Sequence, residues 1–354
     1  MPTEPEFVFE LRVCQWAERR WPPDCGRDSD TAVLVARQLG TKYRRWDTIV
    51  VEADRTALRE RAAFGAEGLN SDLLGVVRNA PVDWAWYRDA LPEPDYPWQY
   101  VREAVHDAAD RELVETRRGE RGRIELRRHQ SYPEWVDRIV AIENKPDLDA
   151  AAARDLAPQL ERDVALGLAD EVWVATGREG DTVEPALLED VPVEAGILTV
   201  DPAANGPAGD AVVEVSWNPR TLTPDEPGTR ITDRPAGSGR DASAARFEYA
   251  DPAWKAEKRR EIAERAYGRG WRAYADTMRP DCRHFNLHTE AGDALPWCAE
   301  KACHQTGGEC SGSCPEFSPE PPAWRQQEWP IDGGPGKAVK RLLDAQRRRR
   351  RPGP

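Results

Sequence analysis

Two carboxylates and one lysine stand out as residues able to do chemistry. Glu143 and Lys145 flank Asn144 at the end of an apolar run, Trp135 to Ile142 (WVDRIVAI). Side chains two apart on a strand leave the same face, so this carboxylate and this ammonium would share one space. Asp47 opens a second, β-branched run, Trp46 to Ala53 (WDTIVVEA). Carboxylate oxygens suit hard divalent cations such as Mg²⁺ or Mn²⁺. Such a cation lowers the pKa of a bound water, and a nearby lysine can orient that water or offset negative charge in a transition state. Asp137 lies on the Glu143 strand too, but six residues of extended chain put it about 20 Å away. Asp47, on a separate strand, is therefore the expected partner. The plain alternative for Glu143 and Lys145 is a solvated ion pair at a strand end.

A second constellation is rich in sulfur. Five of the seven cysteines follow the spacing Cys282-x15-Cys298-x4-Cys303-x6-Cys310-x3-Cys314, with His284, His288 and His304 among them. In a reducing compartment, thiolates this dense read as ligands for Zn²⁺ or for a 4Fe–4S iron–sulfur cluster. The expected ligands are Cys282, Cys298, Cys310 and Cys314, with Cys303 the spare and His284 a further candidate. The metal would be structural, stapling a segment too polar to fold alone. A segment with no metal at all is the competing reading.

Composition sets the background. The chain has 354 residues, 63 Asp and Glu against 50 Lys and Arg, and a formal net charge of −13. Only seven of the basic residues are lysines. An acidic, lysine-poor surface is what a protein needs to stay hydrated in concentrated salt, where charge repulsion is screened; the expected source is a halophilic archaeon. It also makes Lys145 informative, because a lysine in an arginine-rich chain supplies a compact point charge that arginine does not. Residues 1–10 lack the basic and apolar blocks of a secretory signal, and no run of 18 apolar residues occurs. The expected location is the cytoplasm, with no membrane partner.

The elements that must position these residues are partly legible. Residues 4–21 read as a helix with Phe7, Leu11, Cys14 and Glu18 on one face, ended by Pro22 and Pro23. Residues 30–39 read as a second helix with Gly40 as its C-cap. Asn70-Ser71-Asp72 can cap a helix over Leu73–Val77. A further helix is expected near Trp84–Ala90, and a third opens at Tyr96-Pro97-Trp98. A hairpin follows around Gly119–Gly122. Three helices and a basic hairpin is the order of a winged helix. Leu148–Leu168 reads as a long helix, and Glu171–Thr176, 195–200 and Val212–Trp217 as strands. Residues 218–250 read as a linker, 254–278 as a charged helix, and 336–351 as a last helix ending in five arginines.

Together these residues carry a resemblance. Arg45-Trp46-Asp47-Thr48-Ile49-Val50, then Val140-Ala141-Ile142-Glu143-Asn144-Lys145, then the helix and strand of APQLERDVALGLADEVWVAT resemble the PD-(D/E)XK nuclease superfamily, as in Holliday-junction resolvases and RecB-type nuclease domains. The resemblance spans about residues 4–65 and 130–217. It implies an α/β fold, a restriction-endonuclease-like mixed sheet flanked by helices, here with an inserted winged-helix unit and a C-terminal cysteine-rich metal module. The insertion departs from the compact family pattern. By resemblance, the Asn144 carbonyl joins Asp47 and Glu143 as a metal ligand, Gln159 matches the family's helical glutamine, and Glu18 its helical acid. Some RecB-like nucleases clamp their chain ends with an iron–sulfur cluster that uses one N-terminal cysteine, which would fit Cys14. The chain is also similar to proteins of halophilic archaea.

The expected organisation is a nuclease-like core in two parts (1–69 and 131–217) around a winged-helix unit (70–130). A linker (218–250), a helix with the cysteine module (251–330) and a C-terminal helix with a basic tail (331–354) follow. Seven arginines (Arg111, Arg117, Arg118, Arg121, Arg123, Arg127 and Arg128) reverse the local charge and suit DNA phosphate contact. The implied activity is metal-dependent hydrolysis of DNA phosphodiesters in repair or recombination. The alternatives are an inactive nuclease-like DNA-binding adaptor, or a winged-helix transcription regulator with a structural or redox-sensing metal site.

Overall fold

The computed structural model describes residues 6–23, 28–177, 190–205, 211–233, 246–271, 282, 284–290, 293–305, 310 and 314–318. Its apolar runs assemble into one six-stranded mixed sheet flanked by helices. After helix α1 (Glu6–Arg20) come strands β1 (Thr31–Gly40) and β2 (Arg45–Asp54), which form an antiparallel hairpin. The chain re-enters the sheet at β6 (Val136–Lys145), antiparallel to β2. Helix α6 (Ala150–Leu166) crosses over to β7 (Glu171–Gly177), parallel to β6. Strand β8 (Gly196–Asn205) is parallel to β7, and β9 (Ala211–Trp217) closes the edge antiparallel to β8.

Alternation divides the sheet's residues between two cores. Val50, Val140 and Ile142 face α1, which buries Phe7, Leu11, Cys14 and Trp16 against them. Ile49, Val51, Ile139 and Ala141 face the opposite side, covered by helix α7 (Pro252–Arg269) through Ile262, Ala263 and Ala266. Helix α6 packs Ala153, Leu156 and Leu160 on Val172 and Val174 of β7. Its cap is Asp149, which accepts from Ala152 N, and Gly167 ends it at φ 54, a left-handed position that suits glycine.

Residues 30–39 are a strand, not the expected helix. Both faces of β1 are covered, so its apolar residues show no period of two, and a fully buried strand imitates a short helix. Gly40 caps no helix: it opens the β1–β2 turn, where a Cβ would lie 2.1 Å from the Arg44 carbonyl oxygen.

Between β2 and β6 the chain first makes α2 (Arg55–Ala62), capped by Asp54, and then a unit with its own core. The unit runs α3 (Ser71–Asn79), β3 (Ala85–Trp86), α4 (Tyr87–Ala90), α5 (Trp98–Asp110), β4 (Val114–Arg118) and β5 (Ile124–Arg128). Its three strands form an antiparallel sheet in the order β3-β5-β4. Asn70 caps α3 by accepting from Leu73 N at 2.8 Å, as its sequence predicts. Leu73, Val77, Val101, Val105 and Leu126 fill the centre of the unit. Its two connections to the sheet meet where Asp54 N donates to Trp135 O at 3.2 Å.

The segment expected to be a linker is attached to the sheet domain. Leu222 N donates to Asp170 O at 2.8 Å, and buried Lys255 donates to the carbonyls of Thr223 and Glu226 at 3.0 and 2.9 Å. Beyond it, β10 (Gly228–Asp233) pairs with β11 (Arg246–Ala250) in a two-stranded ribbon. Backbone bonds do this work, and they leave no period in the sequence. A small sheet of β12 (Phe285–Glu290), β13 (Asp293–Cys298) and β14 (Cys303–His304) follows. The arginine-rich end, with the helix expected at 336–351, lies outside the described residues.

One buried ion pair ties α7 to the loops that lead into the inserted unit. Arg61 of α2 donates through Nε and Nη2 to Glu264 at 2.5 Å each, and both side chains are fully buried. Glu264 also accepts from Tyr132 Oη at 2.5 Å and Leu69 N at 2.7 Å, so its lone pairs are well used. Removing one partner of such a pair strands a buried charge. Glu264→Ala is expected to cost about 3–5 kcal/mol in urea unfolding, with the double variant Arg61→Met/Glu264→Leu recovering much of it. A Glu264→Ala protein within about 1 kcal/mol of wild type would refute this role.

Candidate functional site

The candidate site lies at the sheet end where β2 begins and β6 finishes. Thr48 pairs with Ile142, so one further step sets Asp47 against Glu143 on neighbouring strands. Alternation turns both toward the side that α6 covers. The two carboxylates singled out in the sequence are therefore brought together, across an insertion that begins after Asp54 and ends before Val136.

Each carboxylate is held. Asp47 Oδ2 accepts from Asn144 N at 3.0 Å, and its Oδ1 accepts from Gln38 Nε2 at 3.1 Å. Glu143 is 3% exposed. Its Oε1 accepts from Arg44 Nη2 at 2.5 Å and its Oε2 from Gln159 Nε2 at 2.7 Å. Gln159, matched to the family's helical glutamine, thus reaches the site from α6. Arg44 also makes a two-pronged contact with buried Asp163, at 2.7 and 2.6 Å.

Burial, then repulsion from Asp47, pushes the Glu143 carboxyl up to about 8, against the pull of Arg44. Asp163 is pushed up by its own burial. Arg44 is shifted further upward, because its bonds to both carboxylates outweigh its burial. One guanidinium serving two acids stays cationic, while neither acid is fully compensated.

A third acid was missed in the sequence. Glu10 of α1 is buried, accepts from Arg37 at 3.0 and 2.6 Å, and accepts from Gln38 Nε2 at 3.2 Å. Gln38 therefore links Glu10 to Asp47, and it does so from φ 55, an uncommon conformation for a residue other than glycine. Phe7, Glu10, Leu11 and Cys14 share the i, i+3, i+4, i+7 spacing, so a stripe search that admitted polar residues would have found Glu10. Glu18, the expected helical acid, is half-buried two turns further along α1. Asp163 had a signal as well, standing four residues after Gln159 on one helix face. Arg44 had none.

Lys145 reaches the site's edge rather than its centre. Its Nζ donates to Glu6 Oε1 at 3.1 Å and its side chain is about one-third exposed. Asn144 is fully buried; its Nδ2 donates to Thr48 Oγ1 at 3.0 Å and its Oδ1 has no hydrogen-bond partner. Cys14 Sγ meets the same Thr48 hydroxyl at 3.3 Å, and burial pushes its thiol up to about 12.

The cysteine segment forms a small sheet in which Cys298 pairs directly with Cys303, the residue expected to be spare. Gln305 Nε2 donates to Cys303 Sγ at 3.0 Å, and Ser318 N to Cys282 Sγ at 3.5 Å. His284 Nδ1 lies 3.6 Å from Glu300. Cys310 packs against the α1 core, and Cys314 is half-buried. Among the described residues no three His, Cys, Asp or Glu side chains converge as for a metal.

The seven arginines lie on or beside the β4–β5 hairpin, and several are engaged within it. Arg117 bonds Glu125 at 2.7 Å and Arg127 bonds Glu115 at 2.7 and 2.9 Å, both guanidiniums lying over the Trp84 ring. Arg123 lies over Trp86 at 4.5 Å. Arg118 and Arg121 are exposed at the turn, and Arg111 and Arg128 are half-buried.

Fold and site together define a mixed α/β protein with two opposed carboxylates at a sheet end. A family model described as a family of unknown function, DUF5787, matches residues 34–319 of the 354, and the chain belongs to that family. No curated protein and no solved structure matches it. Among the described residues no helix is long and apolar enough to cross a membrane.

The raised Glu143 carboxyl carries a pH signature. Folded protein keeps that proton up to about pH 8, whereas the unfolded chain releases it near 4.5. The fold binds the extra proton between these values, so stability falls as pH rises through that window. Glu143→Gln keeps the neutral shape. It is expected to melt with the wild type near about pH 5 and above it near about pH 9. Identical melting temperatures at both would show that Glu143 is ionised throughout.

Proposed function

We propose that the protein is a metal-dependent DNA nuclease of the PD-(D/E)XK type. The observation that carries this reading is the opposition of Asp47 and Glu143 on adjacent strands, with Lys145 two residues on and Gln159 bonded to Glu143 from the following helix. The surrounding order is helix, strand, strand, strand, helix, parallel strand, once the insertion is set aside.

The donor set fits a hard cation. Mg²⁺ commonly takes one or two carboxylates and completes its shell with water and substrate phosphate, so Asp47, Glu143 and the Asn144 carbonyl would suffice. Glu10, Glu143 and Asp163 are bonded by the guanidiniums of Arg37 and Arg44, with Arg162 acting on Asp163 as well, so with Asp47 the acids at this end of the sheet outnumber the cations that serve them. The cation would polarise a phosphoryl oxygen and lower the pKa of a water. Gln159 orients the Glu143 carboxylate. Lys145 lies on a flexible stem at the site's edge, where it can meet the scissile phosphate or the attacking water.

The inserted unit supports a DNA partner. Three helices with an antiparallel β3-β5-β4 sheet are the arrangement of a winged helix, whose wing follows the phosphate backbone. Arg118, Arg121 and Arg123, exposed at the hairpin turn, are the wing residues placed for that contact. The Arg44 bridge favours a second reading, an adaptor with an inactive core, because a guanidinium already occupies the Glu143 oxygen that a cation would take.

Cleavage decides between them. Single-stranded, duplex, flap and four-way-junction DNAs would be incubated in high salt with Mg²⁺ or Mn²⁺. Wild type is expected to cut at least one, with Glu143→Ala and Lys145→Ala each slower by roughly a hundredfold or more. Independently of turnover, Mn²⁺ is expected to raise the melting temperature of wild type and not of Glu143→Gln. DNA binding without cleavage under either metal would leave the adaptor.

A further inference from the structure

A groove of about 1680 Å³ runs away from the candidate site, walled by the β1–β2 turn, the outer side of α6, the β10–β11 ribbon and α7. Arg44, Lys145, Gln159 and Asp163 line its inner end, so it reaches Arg44 and Gln159, the two residues that bond Glu143, while Glu143 and Asp47 themselves lie behind its wall. We propose that this groove is the track of a single-stranded nucleic acid. The proposal rests on the nuclease reading for what happens at the inner end, but not for the binding itself.

Charge is the first argument. Nine Lys or Arg line the groove against five Asp or Glu, in a chain whose net charge is −13. Three of the seven lysines, Lys42, Lys145 and Lys258, are among them. Several of these charges are paired within one wall, as Lys258 is with Glu261 one helical turn on, at 2.7 Å. Lys42 and Arg45 are exposed at the turn nearest Asp47. This reversal of sign beside the acidic site fits a polyanion.

The second argument selects a single strand. Phe247 on β11 lines the groove at 47% exposure, and Tyr249, two residues on and on the same side of the ribbon, is 84% exposed. Two aromatics this bare, one lining the cation-rich groove and the other beside it on the same strand, offer stacking faces to a partner with apolar faces of its own. A duplex offers phosphates and hides the faces of its bases, whereas a single strand offers both. Base stacking on aromatic side chains beside a basic groove is how sequence-tolerant single-strand binders work. Stacking also suits the concentrated salt that this composition fits, because salt weakens phosphate contacts far more.

The test is fluorescence anisotropy of a labelled 20-nucleotide single strand and of its duplex, with EDTA present so that nothing is cut. The single strand is expected to bind more tightly than the duplex. Phe247→Ala/Tyr249→Ala is expected to lose roughly ten- to a hundredfold of that affinity. Lys42→Glu/Arg45→Glu should weaken it and flatten its salt dependence. Circular dichroism would establish that each variant is folded. Equal affinity for duplex and single strand, untouched by the aromatic variant, would overturn the proposal. So would equal displacement of the strand by poly-glutamate. A strand bound through Phe247 and Tyr249 but never cut with Mg²⁺ or Mn²⁺ would retire the nuclease and keep the track. Cleavage with both binding and rate unaffected by the aromatic variant would do the reverse.

Discussion

The antiparallel pairing of β2 with β6, Thr48 against Ile142, is the constraint on which the site depends. A strand slipped by one residue presents its other face, which here would bury Asp47 and Glu143 against α1 and turn Ile49 and Ala141 away from α7. The register is therefore fixed by apolar side chains several residues from the chemistry. It also sets Gln38, Asp47 and Glu143 in one row across β1, β2 and β6, since the β1–β2 pairing passes from Arg37–Thr48 to Leu39–Trp46 around Gln38. Shared packing thus aligns one polar row that packing alone would disfavour.

That row is costly to bury. Glu10, Asp47, Glu143 and Asp163 lie at one end of the sheet, and Arg37, Arg44, Gln38 and Gln159 bond them without neutralising them fully. Desolvation of ionised groups seldom repays itself in stability, even when the pairs are well formed. The better account of this arrangement is that structure elsewhere supports it. Trp21, Trp46, Trp135 and Trp271 are fully buried around the sheet, and each buried large side chain contributes a few kcal/mol.

The elements with a local signal were legible: the Asn70 cap of α3, the β-branched run of β2, and the strand carrying Glu143 and Lys145. Asp47 was reachable because distance along one strand ruled out Asp137. The rest depended on contacts that leave no local pattern. A strand covered on both faces lost its alternation, so β1 read as a helix. Residues 220–228 are fixed by their carbonyls and amides, which no composition reveals. Arg44 acts from a turn, and its two partners lie far along the chain on β6 and α6. Glu10 was overlooked for a different reason, since a carboxylate on a buried stripe contradicts the pattern used to find the stripe.

The hydrogen bond between Asp54 N and Trp135 O has a bearing on how the chain folds. Joining β2 to β6 directly would require a long, disordered loop to close, and closure entropy slows such non-local pairings. If the inserted unit forms first around its own core, its two ends already meet, and β2 finds β6 almost as a hairpin partner. The insertion then serves as a folding template for the sheet it interrupts, so a core mutation in it, far from Asp47, would act on the site by delaying the pairing of its two strands.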